Sequence, residues 1–295
     1  MTRKQEPIAR AVSPDDVDPR HRWDRPLQAP GHMQVDFEER VDFRRLHEYR
    51  LARTRNALAK SSHAYDIAAY EGGPGGYALP GGGVSAAQVE TNEKYGKSLA
   101  QAVGALDAWM RSYAYGWTDQ CFLGYGQGSH WNSHTDFADG FRPTPAWLAL
   151  TLRNRYASGD LMEVTQQSGP TILDGKNTYP LLGAYAMRDG SRWAVFVVSR
   201  KLDGKHDNVD FGSGFTPVTL HLPFAKAGKI ALHTLAGDPR KSNMDAMNIS
   251  IQSKDVPAAA LQGGTFAVNE QTGGGKDGMP PGSIFCYVFE DTAAE

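Results

Sequence analysis

The sequence predicts an α/β segment followed by an all-β segment. Three observations carry that expectation. Helical and strand-like stretches alternate up to about residue 160, short β-branched or aromatic stretches separated by turn residues follow it, and no internal repeat runs through either part. The expected boundaries are a poorly ordered arm over 1–35, an α/β region over 36–160 and a β-sandwich over 161–295.

Residues 1–35 are rich in Pro, Asp and Arg and show neither a period of 2 nor one of 3.6, so they lack the apolar pattern a packed element needs. Phe43, Leu46, Thr54 and Leu58 then recur at helical spacing, and Tyr65–Tyr70 reads as a short strand. That strand ends in Glu71 and opens into the loop Gly72-Gly73-Pro74-Gly75-Gly76-Tyr77. A carboxylate at the carboxyl end of a strand, followed by a loop, is where a (β/α) barrel places its chemistry, although Gly and Pro clusters mark ordinary surface turns as well.

Ser85 and Gln88 have capping-box spacing and predict a helix whose seam is Leu99, Val103, Leu106, Met110 and Tyr113, with Gly116 placed to end it. Trp117–Tyr125 reads as a mostly buried strand, and a polar, aromatic loop leads from it to Thr144 and Pro145. These suit the N-cap and first position of a helix running to about Ala157, with Gly159 beyond. Downstream, Leu181–Met187, Arg192–Ser199, Pro217–Leu222, Ile230–Leu235, Thr265–Val268 and Ile284–Phe289 are the clearest strands. Their spacing predicts an antiparallel sandwich.

With 31 basic and 33 acidic residues the chain has no charge footprint for a phosphate backbone or an anionic membrane, so neither partner is expected. Cys121 and Cys286 sit in apolar stretches and are expected in the core. The N-terminal basic residues have no apolar stretch behind them, and no segment approaches 18 apolar residues, so the chain as written reads as soluble with no export signal.

Only two strands alternate with helices. A βαβ unit takes roughly 30 residues, so six further units of an eight-fold barrel would need about 180 residues before Tyr65. The chain offers 64. The α/β region is therefore expected to be the last quarter of a (β/α)8 barrel, leaving exposed barrel edges that predict self-association.

The runs YEGGPGGYALPG, YGKSLAQAVGALDAW, CFLGYGQGSHWNSHT and PAWLALTLRNRYASGD resemble the end of the catalytic barrel in clan-A glycoside hydrolases of the α-L-arabinofuranosidase and β-xylosidase kind. YPLLGAYAMRDGSRWAVFVVSRKLDG, TPVTLHLPF, LHTLAGDPRKSN and GMPPGSIFCYVFE resemble the sandwich that follows that barrel. The resemblance implies a retaining glycosidase acting on oligo- or polysaccharide, exported, with no cofactor. Glu71 would be its nucleophile, and the acid/base would belong to a barrel strand outside this chain, leaving the chain alone poorly active. The alternative is a non-catalytic carbohydrate-binding or interaction module on the same scaffold, which would show itself by exposed aromatic residues clustered on the sandwich.

Tyr77, Tyr125 and Trp131 either stack on a sugar ring or plug the barrel mouth, while Gln127, Asn132 and His134 suit hydrogen bonds to hydroxyls. His130, His134 and Asp136 have an H-x3-H-x-D spacing, but the segment reads as a loop and lacks the glutamate of an H-E-x-x-H helix. No metal is expected there. Asn92-Glu93 sits in the first turns of a helix and Asn269-Glu270 in the sandwich, so neither fits an acid/base at a strand end. No G-x-S-x-G elbow or P-loop occurs.

Overall fold

The structure is a computed structural model. It describes residues 67–72, 94, 96–114, 117–122, 124–125, 132–174, 177–202, 205–206, 209–210 and 214–291. It is sheet-rich with few helices. The expected arm over 1–35, the first helix and the capping box at Ser85 lie outside the described residues.

Strands β1 (Ile67–Gly72) and β2 (Trp117–Phe122) pair in parallel, Ile67 opposite Trp117 and Gly72 opposite Phe122, with an irregularity between Ala69 and Gly72. Parallel neighbours cannot be joined by a tight turn. The connection between them includes helix α1 (Leu99–Ala114). Leu99, Val103, Leu106 and Met110 of its expected seam are buried, and Tyr113 packs at the margin of the same core. Phe122 of β2 lies edge-on to Trp109 of α1 at 5.8 Å and to Trp147 of helix α2 (Pro145–Tyr156) at 5.5 Å. Side chains alternate along a strand, so Phe122 facing the helices turns Cys121 the other way. Cys121 is exposed, against its expected place in the core, whereas Cys286 is fully buried.

Helix α2 begins as its sequence dictates. Thr144 is extended, its Oγ1 accepts from the Trp147 N–H at 3.3 Å, and Pro145 follows at the first turn. Beyond the C-cap Ala157, Gly159 has φ +81°.

Downstream come β3 (Asp160–Met162), β4 (Thr171–Asp174), β5 (Asn177–Pro180), β6 (Leu182–Asp189), β7 (Arg192–Ser199), β8 (Lys205–His206), β9 (Val209–Asp210), β10 (Val218–His221), β11 (Ala227–Leu235), β12 (Gln252–Val256), β13 (Leu261–Gln262), β14 (Thr265–Val268) and β15 (Ser283–Asp291). A six-stranded antiparallel sheet has the order β12-β11-β15-β7-β6-β3, and a three-stranded one the order β10-β14-β13. Val195, Val197, Ile230, Phe285, Tyr287 and Phe289 on one face of the larger sheet share a core with Leu261, Phe266 and Val268 of the smaller. Ala194, Phe196, Val198, Ile284, Cys286 and Val288 on the opposite face share a second core with α1 and α2. A strand covered on both faces has no polar alternation to keep, which is why Ala194–Ser199 is buried throughout.

Polar contacts fix the helices to this sheet. Asp107 of α1, nearly buried, receives Arg200 Nε at Oδ2 (3.1 Å), Arg200 Nη2 at Oδ1, and the Tyr185 hydroxyl at Oδ1. Arg111, one turn on, closes the cluster through Nε at 3.3 Å from Asp107 Oδ2 and 3.2 Å from the Tyr185 hydroxyl oxygen. Burial, with the Asp107 carboxylate second, pushes the Tyr185 phenol well above its ordinary range. The β11–β12 connection grips the start of α1: the Leu99 and Ala100 N–H groups, which have no partner within the helix, donate to Lys241 and Pro239 carbonyls at 2.9 and 2.8 Å.

Candidate functional site

Glu71 is the penultimate residue of β1, at the carboxyl end of the parallel pair, and falls in the irregular stretch of the β1–β2 register. The chain leaves β2 at the same end. Tyr125 and Asn132–Thr144 therefore begin beside the strand end that carries Glu71.

Asn132, Ser133, His134 and Thr135 are buried, which an ordinary surface loop does not achieve. The Ser133 and His134 N–H groups donate to the Gly124 and Tyr125 carbonyls at 3.1 and 3.0 Å. Thr144 N–H and Oγ1 both donate to the Ser133 carbonyl, at 2.8 and 3.0 Å, so the N-cap of α2 also secures this loop. The Ser133 hydroxyl lies 3.1 Å from the Tyr125 carbonyl and 2.9 Å from His134 Nδ1, so it bridges the two and fixes the orientation of the imidazole. Burial lowers the His134 pKa, so the ring is neutral at neutral pH.

Arg142 spends its guanidinium on three backbone carbonyls: Nε reaches Asn243 at 2.7 Å, and the two terminal nitrogens reach Asp139 and Met244. Asn243 in turn donates to the Pro143 and Ile249 carbonyls and accepts from the Ile249 N–H, each at 2.8 Å. The β11–β12 connection thus holds both the loop and α1.

Among the sequence-predicted residues, the structure brings Tyr125 and His134 together, ring centroids 4.8 Å apart, with Tyr125 57% exposed and His134 and Asn132 buried. Tyr77, Gln127, Trp131 and His130 lie outside the described residues. Sequence reasoning did not single out Phe137, Phe141 or Ser133. Phe141 stacks on His134 (4.6 Å, 11°) and Phe137 on Phe141 (4.5 Å, 2°). The available signal was the spacing His134-x2-Phe137-x3-Phe141 within a loop too aromatic for a solvated turn. Among the described residues, clefts of about 170 and 480 Å³ lie elsewhere. The first is bounded by α1, Ser199 and Arg200, the second by Gln262, Thr265 and Gln271.

No protein-family model matches the chain, and no curated protein does. Solved structures similar to it are glycoside hydrolases. A GH51 arabinofuranosidase from Xanthomonas axonopodis pv. citri matches 65% of this chain and 36% of its own, at 13% identity and a TM-score of 0.48. A family 51 α-L-arabinofuranosidase from Bifidobacterium longum matches 65% and 34%, at 16% identity and a TM-score of 0.43. A β-porphyranase of glycoside hydrolase family 86 from the human gut bacterium Bacteroides plebeius matches 84% and 39%, at 10% identity and a TM-score of 0.43. The chain spans about a third of the length of the arabinofuranosidases it matches.

Proposed function

We propose that this chain is the C-terminal part of a retaining clan-A glycoside hydrolase of the α-L-arabinofuranosidase and β-xylosidase kind. On this reading β1, α1, β2 and α2 are the last quarter of a (β/α)8 barrel, and the sheets after residue 160 form the β-sandwich that follows it. The observation that carries the reading is the parallel pairing of β1 with β2, a helix between them and Glu71 at the carboxyl end. The sequence runs that resemble the family supply the enzyme class.

Glu71 is then the nucleophile. Its carboxylate attacks the anomeric carbon as the glycosidic C–O bond breaks, and the resulting glycosyl ester is cleaved by water. The acid/base that protonates the leaving oxygen and then activates the water comes from residues outside those described. Tyr77, Tyr125, Gln127, Trp131, Asn132 and His134 form the sugar side of the site, with Tyr125 offering a ring face and the buried Asn132 and His134 holding the loop in shape. The partner is a carbohydrate, and the barrel edges are surfaces for self-association. The binding-module alternative is less well supported. Among the described residues the exposed aromatics Tyr125 and Phe137 sit in the loop after β2, Phe215 alone sits in the sheet region, and Trp193 is buried.

Hydrolysis of 2,4-dinitrophenyl arabinofuranoside and xyloside, which need little acid assistance, tests the reading. The chain is expected to turn over slowly at best, to lose that turnover as Glu71→Gln, and, when strands bearing an acid/base are supplied on a second polypeptide, to gain about 10²- to 10⁴-fold in kcat through base-assisted hydrolysis of the glycosyl ester. Turnover indifferent to Glu71→Gln contradicts it.

A further inference from the structure

The loop after β2 contains an aromatic stack whose outermost member stands largely in solvent. Phe137, Phe141 and His134 lie nearly parallel at successive spacings of 4.5 and 4.6 Å, with Tyr125 edge-on to Phe141 at 5.0 Å. His134 at the inner end is buried, whereas Phe137 at the outer end is 73% exposed. One face of the Phe137 ring is covered by Phe141 and the rest is open to water.

The turn that presents this ring is held rigidly. Asp139 and Phe141 N–H groups donate to the Asp136 carbonyl, both at 3.0 Å, and the Gly140 N–H donates to the Phe137 carbonyl at 3.1 Å. Gly140 and Phe141 both have positive φ, +88° and +51°, and at Phe141 this is a conformation that a bulky L residue seldom adopts. Arg142 caps the Asp139 carbonyl while its other nitrogens are fixed to the β11–β12 connection. In this backbone conformation the half-buried Phe141 ring packs on His134 and Tyr125 and gives Phe137 a fixed backing, so that the Phe137 ring stands in solvent on a held turn.

Charge narrows the occupant. Asp136 and Asp139 stand at the two ends of the turn, and neither forms an ion pair among the described residues, while Arg142 is spent on carbonyls. Such a site disfavours phosphate and other anions. It suits a neutral ligand with an apolar C–H face for the ring and hydroxyl donors for the carboxylates.

We propose that Phe137, backed by Phe141 and His134 and flanked by Asp136 and Asp139, is a binding platform for a neutral sugar ring of a polysaccharide. Its position on the loop leaving β2 makes it an outlying subsite of the same site as Glu71. That placement rests on the glycosidase reading, whereas binding itself is tested separately.

The test is affinity electrophoresis of the whole chain in gels containing soluble arabinoxylan. Retardation of the wild-type chain is expected, with the apparent Kd raised about tenfold or more by Phe137→Ala and by Phe137→Leu, which keeps apolar bulk without the ring. Phe137→Trp should restore it. Because Phe137 is exposed, its variants are expected to fold, which far-UV circular dichroism checks. No retardation of the wild type overturns the proposal, as does equal retardation of Phe137→Ala. So does conversion of an oligomer to a monomer by Phe137→Ala with glycan affinity intact, which would make the platform a protein contact. A failed glycosidase reading shows instead as turnover insensitive to Glu71→Gln.

Discussion

Replacing Asp107 with Ala removes the acceptor that ties α1 to the six-stranded sheet. Arg200 loses two charge-assisted hydrogen bonds, Tyr185 loses the carboxylate acceptor of its hydroxyl and keeps the Asp107 backbone carbonyl at 3.2 Å, and Arg111 loses its i−4 partner. Breaking a fully buried pair by removing one member costs about 3–5 kcal/mol. The cost here is lower. The Arg200 and Asp107 side chains are 20% and 12% exposed, and Arg200 Nη1 keeps the Pro180 and Leu182 carbonyls at 2.7 and 3.1 Å. A loss of about 2–3 kcal/mol is expected, which at roughly 2–4 °C per kcal/mol lowers Tm by about 4–12 °C. Urea unfolding followed by the fluorescence of buried Trp109 and Trp193 reads this directly. Arg200→Met alone should cost a similar amount, and the double variant distinctly less than the sum, because neither charge is then left unpaired. A loss below about 0.5 kcal/mol for Asp107→Ala, or strict additivity in the double variant, would refute the anchoring role.

Other expectations follow from the same contacts. Gly159→Ala combines φ +81° with a Cβ that would meet the Arg188 carbonyl, its carbon at 2.6 Å, and Asp189 Cα at 2.8 Å. Because this is backbone that cannot swing aside, a loss above about 2 kcal/mol is expected in the urea midpoint. Thr144→Ala removes the cap of α2 and the bond to the Ser133 carbonyl, and should cost about 1–2 kcal/mol by the same assay. His134 and His233 both have pKa values lowered by burial, and Arg155 and Arg192 lower that of His233 further. The unfolded chain then takes up protons first as pH falls below about 6.5, so this contribution is full above that pH and is lost progressively below it. Unfolding midpoints at pH 7.5 and 5.5 should differ in that direction, and the difference should shrink in the His134→Gln, His233→Gln double variant.

Much of this architecture was legible where one local signal sufficed. Thr144-Pro145 announced α2, the seam from Leu99 to Met110 announced α1, and the apolar run Arg192–Ser199 is β7 to the residue. What escaped were elements whose pattern is set by tertiary neighbours. β12 (QSKDV) is a polar edge strand with a single buried residue, Val256, and β3 spans three residues with none. Cys121 looked like core because its stretch is apolar, but only one side of β2 faces α1 and α2. In the loop after β2, Tyr125 and His134 stood out by residue type. Ser133, Phe137 and Phe141 matter through a hydrogen bond and stacking that form only once the loop folds back on the β11–β12 connection.

The most direct test of Glu71 as nucleophile is covalent trapping on the polypeptide isolated from its source. A 2,4-dinitrophenyl 2-deoxy-2-fluoro-glycoside of arabinose or xylose transfers its sugar to the attacking carboxylate as dinitrophenolate leaves, and peptide mass spectrometry locates the ester. The account predicts one added fluorosugar on the peptide containing Glu71 and none on that peptide in Glu71→Gln. Labelling of a different carboxylate, or an unlabelled Glu71 in a preparation that hydrolyses glycosides with retention, would contradict it.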